Sequence, residues 1–181
     1  MGIRIIAGKH KKRQLKYLVD EATRPTRDLI REAVFSALGD RVENAVVLDL
    51  FSGVGTYGLE ALSRGAKEVT FVDKRGDVLA VLKENLHVLQ ETGRLFRADV
   101  FHALKLLQSE GKTFDVIFID PPYQFEQGAG VINALLQYRL LNDDAIIIYE
   151  GTSVFAEDEI PAFNTKNYRY GKSIIQMMRK K

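Results

Sequence analysis

The 181-residue chain predicts an α/β fold: a mostly parallel sheet with helices on both faces, preceded by a β-hairpin. Three observations carry this. From residue 26 onwards, short β-branched and aromatic runs alternate regularly with segments of helical periodicity. The runs are close to continuously apolar, as strands buried on both faces are. The last stretch, "TKNYRYGKSIIQMMRKK", reads instead as two strands joined at Gly171-Lys172, which adds an antiparallel edge.

The elements follow in order. "RIIAG" (4–8) and "QLKYLV" (14–19) predict two short strands around the basic tip "KHKKR" (9–13). "TRDLIREAVFSAL" (26–38) places Leu29, Ile30, Ala33, Val34, Ala37 and Leu38 on one helical face. "AVVLDLF" is a buried strand, followed by a helix over "TYGLEALSRG" that ends at Gly65. "EVTFVD" is the next strand, with the helix "GDVLAVLKENLHVLQ" after it. "GRLFRAD" leads to the helix "VFHALKLLQSE", and "FDVIFID" to the helix "GVINALLQYRL", before the strand "DAIIIYEG". No internal repeat or low-complexity tract interrupts the pattern. The expected organisation is a basic hairpin extension over 1–22 and a main domain over 23–181.

Composition narrows the chemistry. The chain has no cysteine, which excludes disulfides and thiolate metal sites. No apolar run approaches the ~20 residues that span a bilayer, and "MGIRIIAGKHKK" lacks the apolar core of a signal peptide. A cytoplasmic protein without membrane or metal is the expectation. The net charge is only +2, but residues 1–31 carry nine Lys/Arg against three acids, and 162–181 carry six against none. Such basic ends fit a bound polyanion or an ordinary solvated tail.

In a doubly wound sheet, ligands collect at the carboxyl ends of the strands, near the reversal of strand order. The first such loop, "DLFSGVGTYG" (49–58), has Gly53, Gly55 and Gly58 in G-x-G-x-x-G spacing, with Asp73 ending the next strand. That is the form of a dinucleotide turn, or of a glycine-rich turn with no ligand. Asp49 argues against a dinucleotide, because its charge repels a pyrophosphate at that helix start. It favours an ammonium or sulfonium ligand, of which S-adenosylmethionine is one with both. Asp73 suits ribose hydroxyls. Asp99 suits an adenine amine with Val100 or Phe101 on the ring, and equally the N-cap of the following helix. Acids at four successive strand ends (Asp49, Asp73, Asp99, Asp120) form a cluster for a cationic, donor-rich ligand.

"DPPY" (120–123) ends the fourth strand. Pro121 and Pro122 have fixed φ and no N–H, so they make a stiff peg with carbonyls left to accept. A planar NH₂ group matches it, with one hydrogen to the Asp120 carboxylate and one to a carbonyl near Pro121. Tyr123 stacks on the base that carries the amine. Held so, the amine lone pair turns toward an electrophilic methyl, and Asp120 or water takes the proton.

These residues resemble a known family. "DLFSGVG" resembles the first motif of class I S-adenosylmethionine-dependent methyltransferases, and "DPPY" the motif of those that methylate exocyclic amines. Together with "RIIAGKHKKRQL" and "TRPTRDLIREAVFSAL" they resemble the RsmD family, bacterial 16S rRNA (guanine-N2)-methyltransferases. The resemblance implies a Rossmann-like, seven-stranded sheet with an antiparallel last pair. It also implies S-adenosylmethionine as cofactor and 16S rRNA or the small ribosomal subunit as partner. By motif position, Asp49, Gly53 and Gly55 surround the methionine part, Phe51 is a further cofactor contact, and Arg24, Pro25 and Thr26 lie beside the cofactor or target pocket. Asp73 takes the ribose, Asp99 and Val100 the adenine, and Asp120 to Tyr123 the target base. The chain departs from the family pattern at "FSGVG", where "FAGSG" is expected, and at Asp73, where Glu is expected.

A base must leave its stack to reach such a pocket, and a short chain must hold the RNA by its phosphates. Lys9, His10, Lys11, Lys12, Arg13 and Lys16 are the candidates, with Arg24, Arg27 and Arg31. A DNA adenine-N6 methyltransferase uses the same amine logic, but duplex recognition asks for more surface. A nicotinamide oxidoreductase conflicts with Asp49. A non-catalytic RNA-binding protein retaining the fold is the alternative from another class. His10, His87 and His102 show no metal-ligand spacing. A monomer is expected.

Overall fold

A computed structural model describes residues 2–18 and 25–181, with the side chains of Pro25 and Thr26 excepted. Seven strands form one sheet in the order β5-β4-β3-β6-β7-β9-β8. They are β3 (Val46–Leu50), β4 (Glu68–Asp73), β5 (Arg94–Arg97), β6 (Phe114–Ile119), β7 (Leu141–Gly151), β8 (Phe163–Tyr170) and β9 (Ser173–Lys180). β5 to β7 run parallel, and β9 is antiparallel to both β7 and β8. The last pair closes through Gly171-Lys172, with Tyr170 opposite Ser173 and a left-handed Gly171 at φ +60.

Two apolar layers explain why the central strands read as unbroken runs. Val47, Phe71, Val116, Phe118 and Ile148 point to the face covered by α1 (Pro25–Leu38), α2 (Thr56–Ser63) and α3 (Gly76–Leu89). Leu48, Leu50, Val72, Ile117 and Ile119 point to the face covered by α4 (Val100–Ser109) and α5 (Gly128–Gln137). Both parities are therefore buried.

Two helices differ from the pattern reading. In α1 the buried stripe is Ile30, Arg31, Val34, Phe35 and Leu38, while Leu29 is 58% exposed and Ala37 faces solvent. The face is turned so that Phe35, fully buried, reaches Phe118 with ring centroids 5.4 Å apart. The larger ring takes the slot that alanines would leave part empty. α5 begins at Gly128 and stops at Gln137, short of the expected Leu140. Arg139 is left-handed (φ +55), and Leu140 N–H bonds back to Leu135 O while Arg139 N–H bonds to Leu136 O. This Schellman cap turns Leu140 into the core.

The N-terminal strands are shorter than expected: β1 (Ile3–Arg4) pairs with β2 (Gln14–Leu15) alone. The N–H groups of Ile6 and Ala7, which a longer ladder would use, bond to the two carboxylate oxygens of Glu60 at 2.8 and 2.9 Å. Glu60 is fully buried, with Arg64 Nε at 2.8 Å and Arg31 Nε at 3.7 Å. Asn85 holds the returning strand by accepting from Lys16 N–H and donating to Lys16 O. Ile3, Ile5 and Leu15 share the core of the α1–α3 face; the proposed 22/23 boundary lies outside the described residues.

Candidate active site

Strand order reverses between β3 and β6, which are hydrogen-bonded neighbours with Leu50 opposite Ile119. Two motifs about seventy residues apart in sequence thus end side by side, one strand spacing of ~4.8 Å apart. Above them lies a cleft of about 770 Å³ whose walls come from the loops after β3, β4, β5, β6 and β7. That is the size of a site for a cofactor-sized ligand.

The first loop is shaped by three left-handed residues, Phe51 (φ +59), Gly53 (φ +52) and Gly55 (φ +88). Phe51 and Gly53 line the cleft, and Phe51 packs edge-on against Phe125 at 4.8 Å. Gly55 does not line it. A Cβ there would lie 2.3 Å from Leu82 Cδ1, and one on Gly58 would lie 2.2 Å from Phe71 Cε1. The second and third glycines of the motif therefore serve backbone conformation and close packing. Ser52 also lines the cleft, and its buried hydroxyl has no hydrogen-bond partner among the described residues.

Asp49 lies deeper than the sequence suggests. Its side chain is 2% exposed and is absent from the cleft wall. It lies beneath the turn, where Oδ2 accepts Gly58 N–H at 2.8 Å. Burial pushes its carboxyl up to about 7, the Gly58 hydrogen bond opposes this, and the Asp73 charge adds to it. The side chain braces the start of α2.

Asp73 lines the cleft, with Oδ2 accepting Gly53 N–H and Oδ1 accepting Arg75 N–H, each at 2.9 Å. Each oxygen keeps acceptor capacity for a ribose hydroxyl. Asp99 caps α4 by accepting Phe101 N–H at 3.0 Å, and it lines the cleft beside buried Val100. Asp120, Pro121, Pro122 and Tyr123 form the facing wall, with Tyr123 75% exposed. Pro122 O accepts Phe125 N–H at 2.9 Å, which curls the peg over the cleft.

Four further residues of the site escaped the sequence reading. Tyr57 stacks on Phe118 at 4.9 Å and donates its hydroxyl to Glu150 Oε2 at 2.9 Å. Its pKa is pushed well above the usual phenol value, first by burial and then by the charges of Glu150 and Asp120. Tyr149 is raised by burial and by Asp120, and it packs edge-on against Phe155 at 4.7 Å. Tyr57, Glu150, Tyr149 and Phe155 all line the cleft. Glu150 had a visible signal: it ends the strand "IIIYEG", the fifth acid at a strand end.

The basic candidates separate. Lys9 N–H and His10 N–H bond to Ser63 O and Oγ. Ser63 ends α2, about 10 Å of helix away from the cleft end at Thr56. The "KHKKR" tip therefore sits on the far side of the molecule, at the end of α2 away from the cleft. Lys9 Nζ and His10 Nε2 both pair with Glu91 at 2.6 Å, and Arg13 donates to Val88 O. Lys11 and Lys12 are exposed without an ion pair among the described residues. Arg27 is exposed at the cleft, whereas Arg31 is 3% exposed and bonds to Arg4 O and Asp28. Arg24 and the Thr26 side chain lie outside the described residues. Among the described residues no group of three or more His, Asp or Glu is placed to hold a metal, and no helix is long and apolar enough to cross a membrane.

A doubly wound sheet with an antiparallel last pair and a cleft at its β3/β6 reversal is the architecture of the Rossmann-like methyltransferases. The whole chain superposes on YhhF of Escherichia coli, a candidate methyltransferase, at 28% identity and TM-score 0.87, covering 99% of that chain. A 16S rRNA N2 G1207 methyltransferase of Thermus thermophilus, solved with AdoMet and guanosine, shares the fold at 21% identity and TM-score 0.77; this chain covers 50% of it. The family model described as "Conserved hypothetical protein 95" matches residues 3–179, and the chain belongs to that family, the RsmD family. Ribosomal RNA small subunit methyltransferase D of Haemophilus influenzae is 35% identical over 169 residues, 92% of this chain and 84% of the relative. Its Escherichia coli K12 counterpart is 33% identical over 160 residues, 88% and 80%.

Proposed function

We propose that the chain transfers a methyl group from S-adenosylmethionine to the exocyclic N2 amine of a guanine in 16S rRNA. The observation that carries this is the adjacency of the β3 and β6 ends, which brings the glycine turn, Asp73 and Asp99 to one cleft with Asp120-Pro-Pro-Tyr123. The residues present fit the cofactor. Asp73 suits the ribose, the Asp99–Val100 corner suits the adenine, and the unpartnered Ser52 hydroxyl offers a further polar contact. When bound, the cofactor supplies an electrophilic methyl on a sulfonium centre.

The chain's own residues do the rest. The Asp120 carboxylate and the Pro121 carbonyl accept the two amine hydrogens, drawing the nitrogen lone pair out of the ring plane. Tyr123, exposed at the cleft mouth, stacks on the entering base. The half-buried Asp120 takes the released proton or passes it to water. Phe51 and Phe125 close one side against solvent, which strengthens every charge interaction inside. Arg27, exposed at the cleft, suits a phosphate next to the flipped nucleotide. Lys11 and Lys12, on the far side, meet only RNA that extends around the molecule. The protein acts as a monomer in the bacterial cytoplasm.

The test is incubation with methyl-labelled cofactor and small ribosomal subunits from cells lacking the protein, then nucleoside digestion and mass spectrometry. Label in N2-methylguanosine is expected. Label in N6-methyladenosine, or none in RNA, contradicts the reading.

A further inference from the structure

Glu150 stands at the end of β7, the neighbour of β6, one residue past the Ile119–Tyr149 register pair. It is therefore at the same level of the sheet as Asp120, one strand spacing (~4.8 Å) away. Both carboxylates act on the Tyr57 hydroxyl, one as hydrogen-bond acceptor and one through its charge. Glu150 Oε2 is held by Tyr57, which is 7% exposed and stacked on Phe118, so its position is fixed. Oε1 accepts no hydrogen bond among the described residues, and the side chain lines the cleft.

The target base brings a matching need. Guanine presents three donor hydrogens in a row on its Watson–Crick edge, two on N2 and one on N1. Asp120 and the Pro121 carbonyl take the pair on N2. N1–H is left beside them, and a donor buried without an acceptor costs about 1–3 kcal/mol. Adenine, by contrast, carries a lone pair on the ring nitrogen beside its amine, which a carboxylate repels. Flipped bases are read on this edge.

We infer that Glu150, anchored by Tyr57, is the specificity-determining residue that accepts guanine N1–H and rejects bases with an acceptor there. This rests on the proposed methyl transfer to guanine and adds how the base is chosen. Nothing in it requires Glu150 to exchange a proton during the reaction.

The experiment uses small subunits reconstituted with 16S rRNA carrying either guanine or 2,6-diaminopurine at the target position. The analogue keeps the reacting amine, replaces N1–H by a lone pair and O6 by an amine, so the change of ratio in the variant carries the test. Wild type should methylate guanine at least a hundredfold better, since a site built to bond a donor strongly rejects an analogue lacking it. Glu150→Gln, whose amide can turn either an oxygen or an NH₂ to the base, should narrow the guanine preference by tenfold or more. Its affinity for S-adenosylhomocysteine should be unchanged. An unaltered ratio overturns the inference, and so does loss of activity on both bases with cofactor binding intact. If Glu150→Gln does not fold, Tyr57→Phe is read in the same way: a narrowed ratio supports the inference, and an unchanged one overturns it. Wild-type inactivity on guanine subunits refutes the proposed reaction itself, whereas activity with an unchanged ratio refutes this inference alone.

Discussion

Asp49 permits a quantitative test, because burial pushes its carboxyl from the ordinary 3.8 to about 7. A carboxyl whose folded pKa is raised binds more protons in the native state than in the unfolded chain across that interval. Its contribution to stability is therefore fully present below about pH 4 and is lost as pH rises to about 7, after which it stays constant. The span covers roughly three on the pH scale, and each is worth ~1.4 kcal/mol, so the loss is at most about 4 kcal/mol. Asp49→Asn removes the titration and keeps an oxygen for Gly58 N–H. Urea unfolding of both proteins should be measured from pH 4.5 to 8.5. The stability of the variant minus that of wild type should climb by several kcal/mol across the interval and level off above pH 7.5. Taking the difference removes the other groups, and any fixed cost of the buried amide appears as an offset. A difference that is flat with pH would refute the burial argument and return Asp49 to a solvated site facing a ligand.

Three further outcomes are expected. Glu60→Ala orphans two backbone N–H groups and leaves Arg31 and Arg64 without their buried partner; breaking such a pair costs about 3–5 kcal/mol, readable by denaturant midpoint, and a loss below ~1 kcal/mol would contradict the role assigned to it. Asp120→Ala should abolish methyl transfer while calorimetry finds S-adenosylhomocysteine affinity nearly unchanged; parallel loss of both would show that Asp120 belongs to the cofactor. Arg27→Ala should lower the salt-dependence slope of RNA binding by about 1 even on a short stem-loop, whereas Lys11→Ala with Lys12→Ala should lower it only on the assembled subunit. A slope change on the stem-loop from the lysine pair would place the tip at the cleft.

The fold was readable because its physics is one-dimensional. A parallel strand buried on both faces writes an apolar run, and "DPPY" ends one with fixed backbone angles wherever it occurs. Strand ends were readable too, and Asp73, Asp99 and Asp120 stand at them on the cleft wall. What escaped depends on partners far along the chain. Glu60 looks like any solvent-facing helix acid, yet its oxygens receive N–H groups from residues more than fifty positions away. The same contacts shorten the hairpin and carry "KHKKR" to the far side, which no local pattern states. The letters at Asp49 and Gly55 do not say which atoms turn to the cleft and which to the turn beneath it. The rotation of α1 followed from one ring, Phe35, seeking the deepest slot.

The most direct test of the cleft assignment is a crystal structure of the protein with S-adenosylhomocysteine. The account predicts ribose hydroxyls on the Asp73 carboxylate, adenine beside Asp99 and Val100, and the sulfur facing Asp120. A cofactor bound elsewhere, or one with its sulfur turned away from Asp120, would contradict it.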